Sequence, residues 1–484
     1  MKNMKRTFIQ FLVLLLFSFQ LIAQNSESHS SKPETPMKKE VVSAGKSPEI
    51  TITPFPIMSF IPPALTKTQL GWFKEAGFNV MTIHPDVEAY EKLKKHWEGN
   101  WMVFKDFNAK GYDYKAMSDF KAEDPKRIGF MLGDEPITPM LDTYEVQSDY
   151  LRNRHPEDFC LVNMFPSYVN QTFLQSTYRF YMEAYFQKLR PAYASLDNYP
   201  CNRFNYDGKT YYHDLEMMRE TAQKHNSKII GFVQVYSSAA SRDVSESDLA
   251  WQVNSLLAYG SKGLWYFYFR HPVPGINDLL GTEYMKQNKK DSVWNFQKGR
   301  VMEPAGENVY EFGSGVLTSD DQKGERFDDV ARVNSETLAW GDILIHLNSL
   351  RVRHILGFND AYPPVGTDDF TSIEWSGVVE KYVTKIAAKD HSKSMGFLLS
   401  YFEDQSKQQY LMIVNKRHGE NMTREEGRLP TTVTFTTDVR NAFLVSNKSS
   451  KEELVQLDAT NSFQREIDGG GAILIRLELN ENQH

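Results

Sequence analysis

The sequence predicts a (β/α)8 barrel followed by a small C-terminal antiparallel β-sandwich. From residue 51 onward, short apolar runs bounded by polar turns alternate with segments of helical period. That alternation is the pattern of parallel strands with helices packed outside them. About eight such units occupy roughly 300 residues, the size of one barrel. Beyond about residue 352 the helical period gives way to short alternating strands separated by polar turns, the pattern of a sandwich.

Ahead of the barrel, residues 1–23 read as a secretory signal peptide: a basic start through Arg6, the apolar run Phe8–Ile22, and a cleavage point near Ala23. The run is short for a membrane span, and no later stretch approaches the required length. Residues 24–50 are rich in Ser, Lys, Glu and Pro and read as a flexible leader. The expected organisation is therefore signal peptide 1–23, leader 24–50, barrel 51–351 and sandwich 352–484, with export out of the cytoplasm. The net charge of -7 argues against a nucleic-acid partner, which demands a basic face. Only two cysteines occur, Cys160 and Cys201. They fall at opposite ends of neighbouring strand positions, too far apart for a disulfide, so both should be free thiols.

Expected strands are Ile52–Phe60, Asn79–Ile83, Trp101–Phe104, Ile128–Leu132, Phe159–Phe165, Ala192–Leu196, Ile229–Tyr236 and Gly263–Phe269. Expected helices between them are Thr66–Gly77, Asp86–Trp97, Leu141–Asn153, Thr172–Leu189, Tyr212–His225 and Glu246–Tyr259. The last barrel helix, near Asp328–Leu347, follows a long insertion from Pro272 to about Asp321. A doubly wound open sheet is the alternative, but no Gly-rich phosphate turn follows the first strand. Sandwich strands are expected at Met395–Tyr401, Gln409–Val414, Thr432–Thr436, Asn441–Val445 and Gly471–Leu479.

In a barrel of this kind, chemistry sits at the C-terminal ends of the strands. Those ends carry His84 on strand two, Lys105 and Asp106 on strand three, and Asp134 and Glu135 on strand four. Strand five brings Asn163 and the turn with Tyr168, strand six Asp197 and Tyr199, strand seven Gln234 and Tyr236. Strand eight brings Trp265 and Tyr268, then Arg270 and His271. Carboxylates and amides hydrogen-bond hydroxyls, and aromatic faces stack on the apolar C–H face of a sugar ring, so the rim suits a carbohydrate. Each residue also has a structural reading: Asp134 as a helix cap, Trp265 as barrel-core packing. No His-x-His, Glu-x-x-His or Cys-x-x-Cys spacing occurs near the rim, so neither a catalytic metal nor another cofactor is expected. A Gly-x-Ser-x-Gly nucleophile elbow is also absent from the sequence.

The segments Gly129–Pro136 (GFMLGDEP), Asn163–Tyr168 (NMFPSY), Asp197–Pro200 (DNYP) and Leu257–Phe267 (LLAYGSKGLWYF) resemble the glycoside-hydrolase (β/α)8 superfamily, in particular secreted barrel proteins of bacterial polysaccharide-utilisation systems. The resemblance implies that Glu135, at the end of strand four, is the acid/base glutamate. The family's nucleophile is a glutamate ending strand seven, where this chain has Gln234. An amide cannot be a carboxylate nucleophile, so Asp197 is the expected second catalytic group, with Asp106 next in line. His84, Lys105, Asp134, Asn163, Tyr168, Tyr199, Gln234, Tyr236, Trp265 and Tyr268 are expected to contact the sugar. The Glu135 and Asp197 carboxyls could fall near the roughly 5–5.5 Å of retention if both side chains lean together, or in the range of roughly 6.5–9.5 Å that goes with inversion, which strand spacing favours. Two other functions fit the same rim. One is a non-catalytic carbohydrate-binding barrel, favoured by Gln234. The other is a polysaccharide lyase in which Lys105 or Arg270 holds a uronate carboxylate.

Overall fold

The structure, a computed structural model, describes residues 47–104, 113–202, 210–238, 241–271, 293–295, 300–302, 313–318, 320–358, 372–373 and 381–480. The expected signal peptide, most of the leader, and Lys105 and Asp106 lie outside these residues.

Eight parallel strands close into a barrel in chain order. They are β1 (Ile57–Ser59), β2 (Val80–Ile83), β3 (Asn100–Phe104), β4 (Arg127–Asp134), β5 (Phe159–Met164), β6 (Tyr193–Leu196), β7 (Lys228–Gln234) and β8 (Ser261–Phe267). β8 pairs back onto β1, with Met58 opposite Trp265. β1 is shorter than the expected Ile52–Phe60. Pro54 and Pro56 have no N–H to give a ladder, so pairing starts at Ile57.

The helices are α1 (Lys67–Glu75), α2 (Val87–His96), α3 (Tyr114–Asp119), α4 (Leu141–Arg154), α5 (Gln171–Leu174), α6 (Tyr178–Leu189), α7 (Tyr211–Lys224), α8 (Glu246–Ala258) and α9 (Phe327–Leu344). Most starts carry the caps their sequences offer. Thr66 accepts from Gln69 N, Asp86 from Ala89 N, and Ser245 forms a capping box with Asp248. The expected helix Thr172–Leu189 is two, because Gln175 turns left-handed at φ 57° and Thr177 caps a new start. Gly77 at φ +82° ends the α1 turn, and a Cβ there would lie 2.7 Å from Asn334 Cβ, so glycine is required twice over.

Within the insertion, β9 (Val293–Asn295) and β10 (Arg300–Met302) pair as a hairpin. The C-terminal strands are β11 (Asn348–Ile355), β12 (Ser372–Ile373), β13 (Val383–Ala388), β14 (Phe397–Glu403), β15 (Gln409–Asn415), β16 (Leu429–Phe435), β17 (Val439–Val445), β18 (Glu452–Leu454), β19 (Ser462–Ile467) and β20 (Ala472–Leu479). They form a seven-stranded sheet, β12-β11-β14-β15-β20-β17-β18, facing a three-stranded one, β13-β16-β19. Alternation in β14 and β15 explains how the larger sheet is buried on both sides. Leu398, Phe402, Met412 and Val414 join the core under the barrel helices, while Leu399, Tyr401, Leu411 and Ile413 join the core between the sheets. Polar ties cross the same junction: Trp251 stacks on His418 at 3.7 Å, and Arg424 forms a two-pronged pair with Glu336.

Both cysteines are free, as their positions require, with Cys201 buried above the barrel. No helix among the described residues is long and apolar enough to cross a membrane.

Candidate active site

The site grows from an irregularity at the end of β4. The β4–β5 pairing shifts register between Met131 and Gly133, a bulge of the kind that re-aims side chains at barrel rims. Glycine is needed at 133 because a Cβ would lie 2.4 Å from the Tyr144 ring. Two residues on, Glu135 sits at φ 46°, in the left-handed region that a non-glycine residue rarely occupies. Its N–H is held by Asn163 O at 2.9 Å. Bulge and left-handed turn together swing the Glu135 side chain over the mouth toward β6.

There it meets Asp197. The two groups are close enough that Asp197 raises the proton affinity of Glu135. The β4 bulge and the left-handed turn, which regular strand spacing does not include, bring Glu135 toward it. Burial, then the charges of Asp197 and Asp134, then the carboxyl–carboxyl hydrogen bond push Glu135 well above the usual carboxylate range. Asp197 is pushed well up by burial and by Asp134. Asp197 Oδ1 is buried and has no hydrogen-bond partner among the described residues. Two neighbouring carboxyls with raised proton affinity do not ionise together cheaply, which favours the singly protonated pair.

Asn163 sets the frame. Its amide donates to Asp134 Oδ1 at 3.0 Å, while its carbonyl accepts from Ser195 Oγ at 3.0 Å. It is fully buried and bonded to the protein at both ends, so it positions the Asp134 carboxylate. Burial raises Asp134 to about 6, against the lowering effect of that hydrogen bond.

Asp214, in the first turn of α7, supports the site from below. It is fully buried, and its Oδ2 accepts from Ser167 N at 3.1 Å and Asn198 Nδ2 at 2.7 Å. One carboxylate thereby joins the loop carrying Tyr168 to the loop carrying Asp197 and Tyr199. Asp214→Ala should lower kcat about tenfold through lost positioning, roughly the 1–3 kcal/mol of an unmade buried hydrogen bond. Asp214→Asn keeps an oxygen for both donors and should recover most of it. Steady-state kinetics of the two variants checks this, and equal losses in both would contradict it.

The remaining rim residues divide sharply. Gln234 is buried: its Oε1 accepts from Cys201 N at 3.0 Å, and its Nε2 donates to Cys201 O and Tyr236 O. This corrects the expectation that Gln234 binds a sugar hydroxyl. It is a staple between the loops after β6 and β7, and only an amide could both accept and donate there. Trp265 and Tyr268 are also corrected as stacking platforms. Trp265 is fully buried inside the barrel and stacked on Phe232 at 5.4 Å. Tyr268 is fully buried, stacked on Tyr236 at 5.7 Å, and donates to Gly313 O. Tyr236 is 6% exposed and packs edge-on to Tyr199. Tyr199 lies close enough to Asp197 to lower its proton affinity and keeps part of its surface open. Tyr168 is 56% exposed and close enough to Asp197 and Glu135 to feel their charges. His84 is exposed on the far side of the mouth, with Nδ1 3.2 Å from Phe104 O. Ser195, Asn198 and Asp214 were not singled out in the sequence. Asp214 looked like an ordinary acidic residue opening a helix, and Ser195 like a strand interior.

Among the described residues no group of three or more His, Cys, Asp or Glu is arranged to hold a metal ion.

No family model matches the chain, and no curated protein matches it. Solved structures do match it. One described as a glycoside hydrolase is 9% identical with a TM-score of 0.45, over 90% of this chain and 93% of its own. A beta-galactosidase from Halorubrum lacusprofundi is 9% identical with a TM-score of 0.39, over 58% of each chain. A beta-glucuronidase from Parabacteroides merdae is 10% identical with a TM-score of 0.34, over 90% of this chain and 60% of its own.

Proposed function

We propose that the chain is an exported glycoside hydrolase acting on a poly- or oligosaccharide, with Glu135 as general acid and Asp197 as its carboxylate partner. The observation that carries this reading is the placing of Glu135 beside the buried Asp197 at the mouth of the barrel, with both carboxyls pushed well above their ordinary range. In the singly protonated pair Glu135 holds the proton and Asp197 holds the negative charge, which is the division of labour glycoside cleavage needs. A glycosidic oxygen entering between them takes the Glu135 proton as the C–O bond breaks. Asp197 then either takes a proton from the attacking water or bonds to the anomeric carbon and is freed by water. Binding must part the two carboxyls to the separation either route uses, and the Glu135 side chain, at the end of a bulged strand, has the reach to swing aside. Asp134 adds negative charge beside Glu135 and favours its protonated form. Tyr168 and Tyr199, the partly open rings nearest the pair, are the sugar-contacting candidates.

Incubation of the purified chain with a panel of polysaccharides, followed by product mass spectrometry, tests this reading. Products that have gained water are expected. Unsaturated products would replace hydrolysis by elimination, and recovery of intact polysaccharide that is nonetheless retained by the protein would make the barrel a binding module.

A further inference from the structure

At the opposite end of the barrel, below the N-terminal ends of β6, β7 and β8, lies a cavity of 630 Å³. Its walls come from the segment before β1, the C-terminus of α7, the first residues of β7 and β8, the turn between α9 and β11, and Gln405 of the sandwich. Two lysines line it. Lys262 is 8% exposed, and its ammonium donates to Leu344 O at 2.5 Å and to Leu347 O. Lys228 donates to Thr51 Oγ1 at 2.9 Å and to Ile50 O. An ammonium has three donors, so each lysine has one left over. Capping the end of α9 explains two of the Lys262 bonds and leaves the third unaccounted for. Ser349 lies on the same wall, but its hydroxyl is shut off from the cavity.

The balance of charge points the same way. Arg219 also lines the cavity, but Glu216 already neutralises it. The acidic side chain among the described lining residues is Glu49, which is exposed. Two ammonium groups therefore face a cavity without a buried carboxylate to match them. Burial, with the charge of Lys228 adding to it, lowers Lys262 to about 7. Burying cations unpaired is costly, and an anion in the cavity removes that cost.

We propose that this cavity binds a small oxyanion of the phosphate or carboxylate class, held by the remaining donors of Lys228 and Lys262. The site is independent of the chemistry at the barrel mouth. An anion there would tie the segment before β1, the barrel floor and the sandwich turn together.

Titrating the full chain with inorganic phosphate and with citrate, against sodium chloride at matched ionic strength, tests the proposal by calorimetry and thermal unfolding. Saturable binding with a rise in Tm is expected for one or both, and the tighter anion identifies the class. Lys228→Gln should weaken that binding at least tenfold. Lys262→Gln also uncaps α9 and can unfold the chain, so Lys228→Arg, which keeps the charge and should keep most of the binding, serves as the second variant. No saturable response beyond chloride overturns the proposal. So does binding that is unchanged in Lys228→Gln.

Discussion

Replacing Glu135 by Gln should abolish most turnover, by about 10²–10⁴-fold, the usual worth of a positioned general acid. The amide has the shape of the carboxyl and no proton to give. The loss should shrink sharply on aryl glycosides whose leaving phenolate needs no protonation, because those substrates do not draw on the acid. Asp197→Asn should lose at least as much on every substrate, since it removes the negative charge that meets the anomeric centre or the water. The pH profile separates the roles further. In the wild type, the singly protonated pair is the active form, so kcat/KM should be bell-shaped, with limbs that belong to the pair and not to either residue alone. Asp197→Asn takes a negative neighbour away from Glu135 and should move the alkaline limb of any residual activity to lower pH. Retention of kcat within a few-fold in Glu135→Gln on natural polysaccharide would remove Glu135 as the acid. The unchanged fold of both variants is checked by circular dichroism.

That Glu135 and Asp197 belong to one site was legible because a strand ending in Gly-Asp-Glu-Pro, and another ending in Asp-Asn-Tyr-Pro, could only point chemistry at the same rim in a closed barrel. Strand–helix alternation is a strong local signal, and the barrel and its order followed from it. The sandwich was legible in its central strands only. β11 (NSLRVRHI) places arginines among its apolar positions, and β19 (SFQREI) is half charged, so neither shows a continuous apolar face in the sequence. The site geometry was less accessible still. A one-residue bulge at Met131–Gly133 and a left-handed Glu135 leave no mark beyond a glycine, yet they decide whether the two carboxyls touch. Amides were misread for a related reason. Asn163 and Gln234 sit at rim positions, but composition cannot show that each spends its hydrogen bonds on the protein. Aromatic residues failed by the period-two rule: at the end of β8 the sequence does not show which rings turn inward to pack, and Trp265 does.

The same pair should leave a signature in stability, with a sign opposite to that of most buried ion pairs. Asp197 and Glu135 have folded-state pKa values raised above their ordinary range. A carboxyl raised in this way binds its proton more tightly folded than unfolded. Its favourable contribution is therefore complete below the unfolded value near pH 4 and is lost as pH rises through the folded value. Other groups titrate in the same window. Asp134 and Asp214, each raised to about 6 by burial, act in the same direction. His354, held well below 6.5 by burial and by Lys416, acts in the other. The total pH dependence of the wild type mixes these, so the informative quantity is the difference between Asp197→Asn and wild type. Near pH 4 both chains carry a neutral group at 197, and their Tm values should agree. As pH rises toward 8, the wild type must either bury a second negative charge beside Glu135 or hold a proton against solvent, and the variant need do neither. The amide that Asp197→Asn introduces can also donate to Glu135, where an ionised Asp197 could only repel it. The variant should therefore become the more stable chain, by about 1.4 kcal/mol for each tenfold change in proton affinity that folding imposes on the carboxyl. That corresponds to about 1.5 °C in Tm for each such tenfold change. Thermal unfolding at several pH values between 4 and 8 reads the difference directly. A variant less stable than wild type across the whole range would mean that Asp197 is ionised and well solvated in the folded chain. The shared proton would then be lost from the reading, and with it the basis for assigning Glu135 as the resting acid.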